Sequence, residues 1–241
     1  MKNIPRLFID AKLTPGATSA LTADQSHYLN RVMRTDRFLA FNNGEEFYAE
    51  LSDVVTPRLD RGAQVKIGER SEHKDPSGNW TFCFAPIKRI EDLIAGIVQM
   101  GAGALQPVIT DRTTAHHINW DRMRKIIIEN AEQSGRNSIP ALRPPIPFST
   151  LDLNGVIFGD EQAASSFPAP ARGGGIDFVS ERSELTKSWV GDNFRLLIGP
   201  EGGFSDAEFA ALDAARTTGV SLGPTILRAE TAAIALAAKF V

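Results

Sequence analysis

Two segments of the chain combine residue types suited to cradling a ligand. In the first, the apolar run Leu196-Leu197-Ile198 ends in Gly199-Pro200-Glu201-Gly202-Gly203-Phe204, and Ser205 follows as a helix cap. Glycines let a backbone approach a ligand closely and adopt positive φ. Amides exposed where a strand ends and a helix begins can hold a polar ligand. The second segment, Ser221-Leu222-Gly223-Pro224-Thr225-Ile226-Leu227-Arg228-Ala229-Glu230-Thr231, again takes a strand into a Gly-Pro turn and then into an alanine-rich helix. Two such turns at the ends of adjacent strands would face each other across one crevice. Each segment also has a plainer reading, a tight strand–helix turn in the first and Glu230 or Thr231 as a simple helix cap in the second. No Gly-Lys-Ser/Thr and no Gly-x-Gly-x-x-Gly accompanies them, which disfavours triphosphate and ordinary dinucleotide binding.

The elements that must carry these turns can be read from periodicity. After a polar, breaker-rich stretch at His73–Asn79, buried strands are predicted at Trp80–Ala85, Leu105–Ile109, Val156–Phe158, Arg195–Ile198 and Val220–Leu222. Helices alternate with them. Ile90, Leu93, Ile94, Ile97 and Val98 share one helix face. Trp120–Ser134 is framed by Asn119 as cap and Gly135 past its end. Ser205 and Glu208 form a capping box, with Phe204 and Phe209 as its staple, and Glu230–Phe240 makes a closing helix. Strand–helix alternation with continuous apolar strands implies an α/β parallel sheet covered on both faces. Before the boundary, strand-like runs at Arg6–Ile9, Phe38–Phe41, Phe47–Leu51 and Gln64–Ile67 predict a small β-barrel. Asn42-Asn43-Gly44 is its hairpin turn, and a helix near Thr22–Val32 is capped by Thr22 or Asp24. Residues 1–72 and 73–241 are thus two expected domains, with an irregular connection over 160–193.

Other chemistries find less support. The one cysteine, Cys83, sits in an apolar run and reads as a buried small hydrophobe. His116-His117 has no third ligand at metal-site spacing. The N-terminus has no apolar region of a signal peptide and no stretch is long enough to span a bilayer, so a cytoplasmic location without membrane contact is expected. The net charge is −3, but the last 91 residues hold 7 basic against 12 acidic residues, so an RNA surface should be a local patch from the first two thirds. Arg6, Arg31, Arg34, Lys88, Arg112 and Arg136 are the candidate phosphate contacts, each equally readable as a solvated charge, with Arg136 favoured because it follows a helix that ends at Gly135.

Together, Gly199-Pro200-Glu201-Gly202-Gly203-Phe204 and Leu222-Gly223-Pro224-x-Ile226-Leu227-Arg228-x-Glu230-Thr231-Ala232 resemble the signature pair of the 16S rRNA uracil-N3 methyltransferases. Pro5-Arg6-Leu7-Phe8, His27-Tyr28-Leu29-x-x-Val32-Met33-Arg34 and Ala131-Glu132-Gln133-Ser134-Gly135-Arg136 resemble the same family at matching places. Two sites depart from its pattern. Thr35-Asp36-Arg37-Phe38 lacks a Gly-Asp turn, and Gln99-Met100-Gly101 stands where the family often has Glu-Leu-Gly.

The resemblance implies an N-terminal PUA-like β-barrel for RNA and a C-terminal trefoil-knotted (SPOUT) domain. It also implies S-adenosyl-L-methionine (SAM) as cofactor, the small-subunit 16S rRNA as substrate and a homodimer. On it, Leu197, Ile198, Gly199, Pro200, Glu201, Gly202, Leu222, Gly223, Ile226, Leu227 and Thr231 are the expected cofactor contacts. Glu201 is a candidate base, an orienting acceptor for the cofactor, or an acceptor of turn amides only. Arg228 is a candidate for stabilising a uracil anion, or simply a salt-bridge partner of Glu230. The competing readings are a non-catalytic RNA-binding or ribosome-assembly protein that keeps the fold, and a knotted methyltransferase acting on another RNA.

Overall fold

The computed structural model describes residues 4–52, 63–115, 117–160 and 194–240. The chain forms two compact units, Met1–Ser77 with Ile128–Ile139, and Gly78–Ile127 with Pro140–Val241. The expected irregular connection over 160–193 lies, beyond Asp160, outside the described residues, as does His116.

In the first unit, β1 (Arg6–Phe8), β2 (Thr18–Ala20), β3 (Arg37–Asn42), β4 (Glu45–Leu51) and β5 (Gln64–Arg70) form one sheet in the order β1-β3-β4-β5-β2. The path is open, so the sheet is a half-barrel. Asn43 at φ 52° and Gly44 at φ 80° make the β3–β4 turn, the positive pair that a tight two-residue hairpin demands. Leu7, Leu29, Phe38, Phe47, Val65 and Ile67 fill the core. Thr22 caps α1 (Ala23–His27) through a capping box with Gln25. The predicted helix then continues as a π-helical turn, Tyr28–Met33, stopped by Arg34 in the left-handed conformation. The sequence does not predict strand β2, because its three residues, Thr18, Ser19 and Ala20, include no large apolar side chain and none is buried.

In the second unit, β6 (Thr81–Phe84), β7 (Ala104–Ile109), β8 (Ala141–Leu142), β10 (Val156–Gly159), β11 (Arg195–Ile198) and β12 (Thr218–Val220) lie in the order β12-β10-β11-β6-β7-β8. All pair in parallel, and β9 (Ile146–Pro147) also pairs with β7. Phe82, Cys83, Phe84, Leu105, Leu196 and Leu197 are wholly buried, as a doubly covered sheet requires. On one face, Phe209 and Leu212 of α4 (Asp206–Ala214) pack with Cys83, Val108, Phe158 and Leu197. Helices α2 (Ile90–Gln99) and α5 (Ala229–Ala237) pack against each other, and their approach depends on Gly96, where a Cβ would lie 2.7 Å from the Ile234 side chain. Helix α3 spans Trp120–Ser134, with Asn119 accepting from the Arg122 amide and Gly135 at φ 79° past its end.

Two expectations are corrected. The last strand is Thr218–Val220, so Ser221 and Leu222 lie beyond it. Its partner β10 ends at Gly159, and the Asp160 amide closes the ladder on the Val220 carbonyl. Nor are the strands that carry the two Gly-Pro turns adjacent, because β10 runs between β11 and β12. Strands β8 and β9, two residues each, were too short for any period to reveal. Among the described residues no helix is long and apolar enough to cross a membrane.

Candidate cofactor and substrate site

A cavity open to solvent lies at the C-terminal ends of β10, β11 and β12, the end at which parallel α/β sheets bind ligands. Both Gly-Pro turns reach it despite the strand between them. Ile198, Gly199, Pro200 and Glu201 line one side, and Leu222, Gly223, Ile226 and Leu227 another. Gly159 and Asp160, at the end of the intervening β10, complete the wall.

The first turn is held in shape by local chemistry. The Gly203 amide donates to the Pro200 carbonyl at 2.9 Å, with Gly203 at φ 68°. The Ser205 hydroxyl accepts from the Glu208 amide, while a Glu208 carboxylate oxygen accepts from the Ser205 amide at 2.8 Å. The Phe204 and Phe209 rings meet edge to face, 5.7 Å between centroids. Glu208 does more than the capping box suggests. It is buried, and its other oxygen accepts the Asp111 amide at 2.9 Å. The Ser205 hydroxyl in turn donates to Asp111, and the Arg112 guanidinium donates to the Gly202 carbonyl at 2.9 Å. The loop after β7 is thereby latched onto the glycine-rich turn.

In the second turn, Gly223 adopts φ 139°, and a Cβ there would enter open space. Ile198 is buried, whereas Ile226 is 83% exposed at the rim. Arg228 occupies the N-cap position of α5 without a side-chain capping bond. This corrects two plainer readings. Neither Thr231 nor Glu230 caps the helix, because it starts earlier, at Ala229. The expected Arg228–Glu230 ion pair is replaced by Arg89–Glu230 at 3.6 Å. Glu201 accepts the Lys88 amide at 3.1 Å, an amide from the loop after β6 rather than from its own turn.

Of the other expected cofactor residues, Leu197 lies in the core under α4, and Gly202 faces Arg112. Thr231 is exposed on the first turn of α5. Asp160, 2% exposed and in the cavity wall, was missed. It reads in sequence as the start of a polar loop, and only the β10 register buries it.

The candidate phosphate contacts divide. Arg31, Arg34, Lys88 and Arg112 are exposed. Arg136 is corrected: it is 1% exposed, and burial pushes its pKa down to about 10 against the pull of Asp75, so its guanidinium does not face solvent where a phosphate would bind. Arg6 is half-buried and engaged with the buried Glu46, with Asn137 and with the Gly135 carbonyl. Its pKa is lowered by burial, opposed by Glu46 and Asp75. Cys83 is wholly buried, and burial pushes its thiol up to about 12. Among the described residues no three His, Cys, Asp or Glu cluster to hold a metal.

Comparison with known proteins adds to this geometry. Residues 73–241 match the RNA methyltransferase domain family. A Synechocystis ribosomal RNA small subunit methyltransferase E is 31% identical over 94% of this chain and 74% of its own length. The protein of the same name from Rickettsia conorii is 26% identical, covering 97% of this chain and 93% of its own. The crystal structure of a ribosomal RNA small subunit methyltransferase E from Neisseria gonorrhoeae bound to S-adenosyl methionine superposes with a TM-score of 0.75 at 26% identity, over 98% of this chain and 96% of that one. The fold is therefore the α/β arrangement of the SPOUT class. Its parallel sheet, its two turns around one cavity and these matches together place the chain in the RNA methyltransferase family, among the ribosomal RNA small subunit methyltransferases E.

Proposed function

We propose that the protein is a SAM-dependent methyltransferase that methylates N3 of a uridine in 16S ribosomal RNA. The observation that carries this reading is the cavity shared by the two glycine–proline turns. Its residues suit the cofactor. The backbone at Gly223 is open to close approach, Gly199 lines the cavity with the Phe204 ring packed against it, Ile198 and Ile226 offer apolar faces to a purine, and the Asp160 carboxylate can accept from hydroxyl or ammonium donors. When bound, SAM supplies an electrophilic methyl group on a sulfonium.

The chain's own residues would then position and polarise the nucleotide. Uracil N3 is a weak acid, and its lone pair must be freed and aimed in line, so positioning accounts for much of the rate. Arg228, exposed beside Leu227 and Ala229 of the cavity wall, is suited to stabilising negative charge on the uracil oxygens. N3 lies on the Watson–Crick edge, so the target base must be unpaired or turned out of its helix. Lys88 and Arg112, both exposed and tied by their own contacts to the first turn, suit the flanking phosphates, and in the first unit the exposed Arg31 and Arg34 are suited to phosphate contacts of their own. The sequence resemblance further supports a homodimer in the cytoplasm, and light scattering on the purified protein checks the dimer.

The test is mass spectrometry of 16S rRNA from a strain lacking the gene. The expected result is loss of 3-methyluridine, restored by the purified protein with SAM. Undiminished 3-methyluridine rejects the substrate. Failure of SAM to bind in calorimetry would favour the non-catalytic RNA-binding alternative.

A further inference from the structure

The first turn of the cavity and the start of α5, which follows the second turn, are both tied to the same short loop, between β6 and α2. The Lys88 amide donates to Glu201 Oε1 at 3.1 Å, on the first turn. The next residue, Arg89, lies 3.6 Å from Glu230, just past the second turn. Arg89 also lies 3.6 Å from Asp92 in its own helix, and Arg122 of α3 holds Glu91 through two bonds of 2.9 and 3.1 Å. Glu230 is largely buried, its side chain 13% exposed, whereas Arg89 is 59% exposed. One dipeptide thus meets Glu201 of the cavity wall and Glu230 of α5, whose neighbours Ala229 and Ala232 line the cavity.

We infer that Lys88-Arg89 is a strap that sets the spacing of the two turns, and that Glu201 and Glu230 are positioning residues that act through it. This rests on the cofactor site proposed above. It assigns Glu201 a role other than proton removal, since a carboxylate oxygen that accepts an amide holds a loop in place. It also divides the work within Lys88, whose amide fixes Glu201 while its exposed ammonium remains available to RNA. The strap bridges positions far apart in sequence, 88 with 201 and 89 with 230, which explains why neither turn motif alone reveals it.

The experiment compares Glu201→Ala, Glu201→Gln, Arg89→Ala, Glu230→Ala and the last two combined, in the full chain. The first readout is hydrogen exchange at the Lys88 amide, with no RNA present. A hydrogen bond to a carboxylate protects an amide, so exchange should speed up about fivefold or more in Glu201→Ala and much less in Glu201→Gln, which keeps an acceptor oxygen. The second readout is SAM affinity by calorimetry. Glu201→Ala should weaken it about tenfold and Glu201→Gln about threefold, and the Arg89→Ala/Glu230→Ala pair should be no worse than its weaker single variant. The third is the pH profile of turnover, whose acid limb should persist in Glu201→Gln at a modestly reduced rate. Equal exchange at Lys88 in all variants overturns the strap. Loss of the acid limb in Glu201→Gln, with turnover as low as in Glu201→Ala, makes Glu201 the base and overturns its positioning role. The first two readouts need no RNA substrate, so a wrong methylation target would leave them intact, whereas a protein that does not bind SAM would be exposed by the unmodified chain.

Discussion

In the first unit, Arg6 and Arg136 point inward, facing Glu46 and Asp75. In the second, Lys88, Arg89 and Arg112 stay exposed around one cavity, and each fixes a loop that forms it. The first arrangement uses charge to hold a segment in place. The Arg6 guanidinium bonds the Gly135 carbonyl, the Gly44 amide donates to Asn137, and Glu132 accepts the Phe8 amide at 2.9 Å, so residues 132–137 are stitched to β1 and the β3–β4 turn. The second leaves cations where an anionic substrate can meet them. Arginine is the side chain best fitted to both tasks, so its presence at a position says little about which task it serves. The surroundings decide, and they come from distant parts of the chain.

The largest expected effect tests the inward set. Arg136→Ala removes a guanidinium from a buried site and should destabilise the protein by about 3 kcal/mol, read by urea unfolding. A loss under about 1 kcal/mol would place Arg136 with the solvated charges and erase the contrast. Next, Arg228→Ala should lower turnover about a hundredfold while SAM affinity stays within about threefold. Normal turnover would remove Arg228 from the mechanism. Smaller still, Arg112→Ala should weaken SAM binding about fivefold by releasing the Gly202 carbonyl, with little change in unfolding. Equal loss of stability in Arg112→Ala and Arg136→Ala would show the two regions to be alike.

The remaining effect depends on pH. Burial, with a further push from Glu129 and against the Phe8 amide, raises the Glu132 carboxyl from 4.5 to about 7. The folded chain therefore keeps this proton over a range in which the unfolded chain has lost it. Stability must fall as pH rises from about 4.5 to about 7, and the full penalty is present above that. Glu132→Gln should match the parent near pH 4 and exceed it by up to about 3 kcal/mol at pH 8. A pH-independent difference would mean that Glu132 titrates alike in the folded and unfolded chain.

What could be read from the sequence was local. The Asn43-Gly44 turn, the Ser205–Glu208 capping box and the Ile90–Val98 helix face are each set by residues within a few positions of one another. The two turn motifs were legible for the same reason, and the resemblance they carry led to the family. Other features needed partners that no short window contains. β10 separates β11 from β12 because of sheet order, which the strand sequences do not encode. Asp160 belongs to the cavity wall only through the position of β10. Glu208 looks like a capping residue until Asp111 arrives, 97 positions earlier in the chain. The burial of Arg136 follows from the packing of residues 128–139 within the first unit, and nothing in Gly135-Arg136-Asn137 distinguishes it from an exposed phosphate contact.

The burial of Cys83 bears on how the molecule can be handled. It is the sole thiol in the chain, it is wholly buried between the sheet and α4, and its proton is held far above neutral pH. Alkylating and oxidising reagents act on exposed thiolate, so the folded protein is in effect cysteine-free to them. A single cysteine introduced on the surface would therefore take a fluorophore or spin label at one known position, with no need to remove the native one.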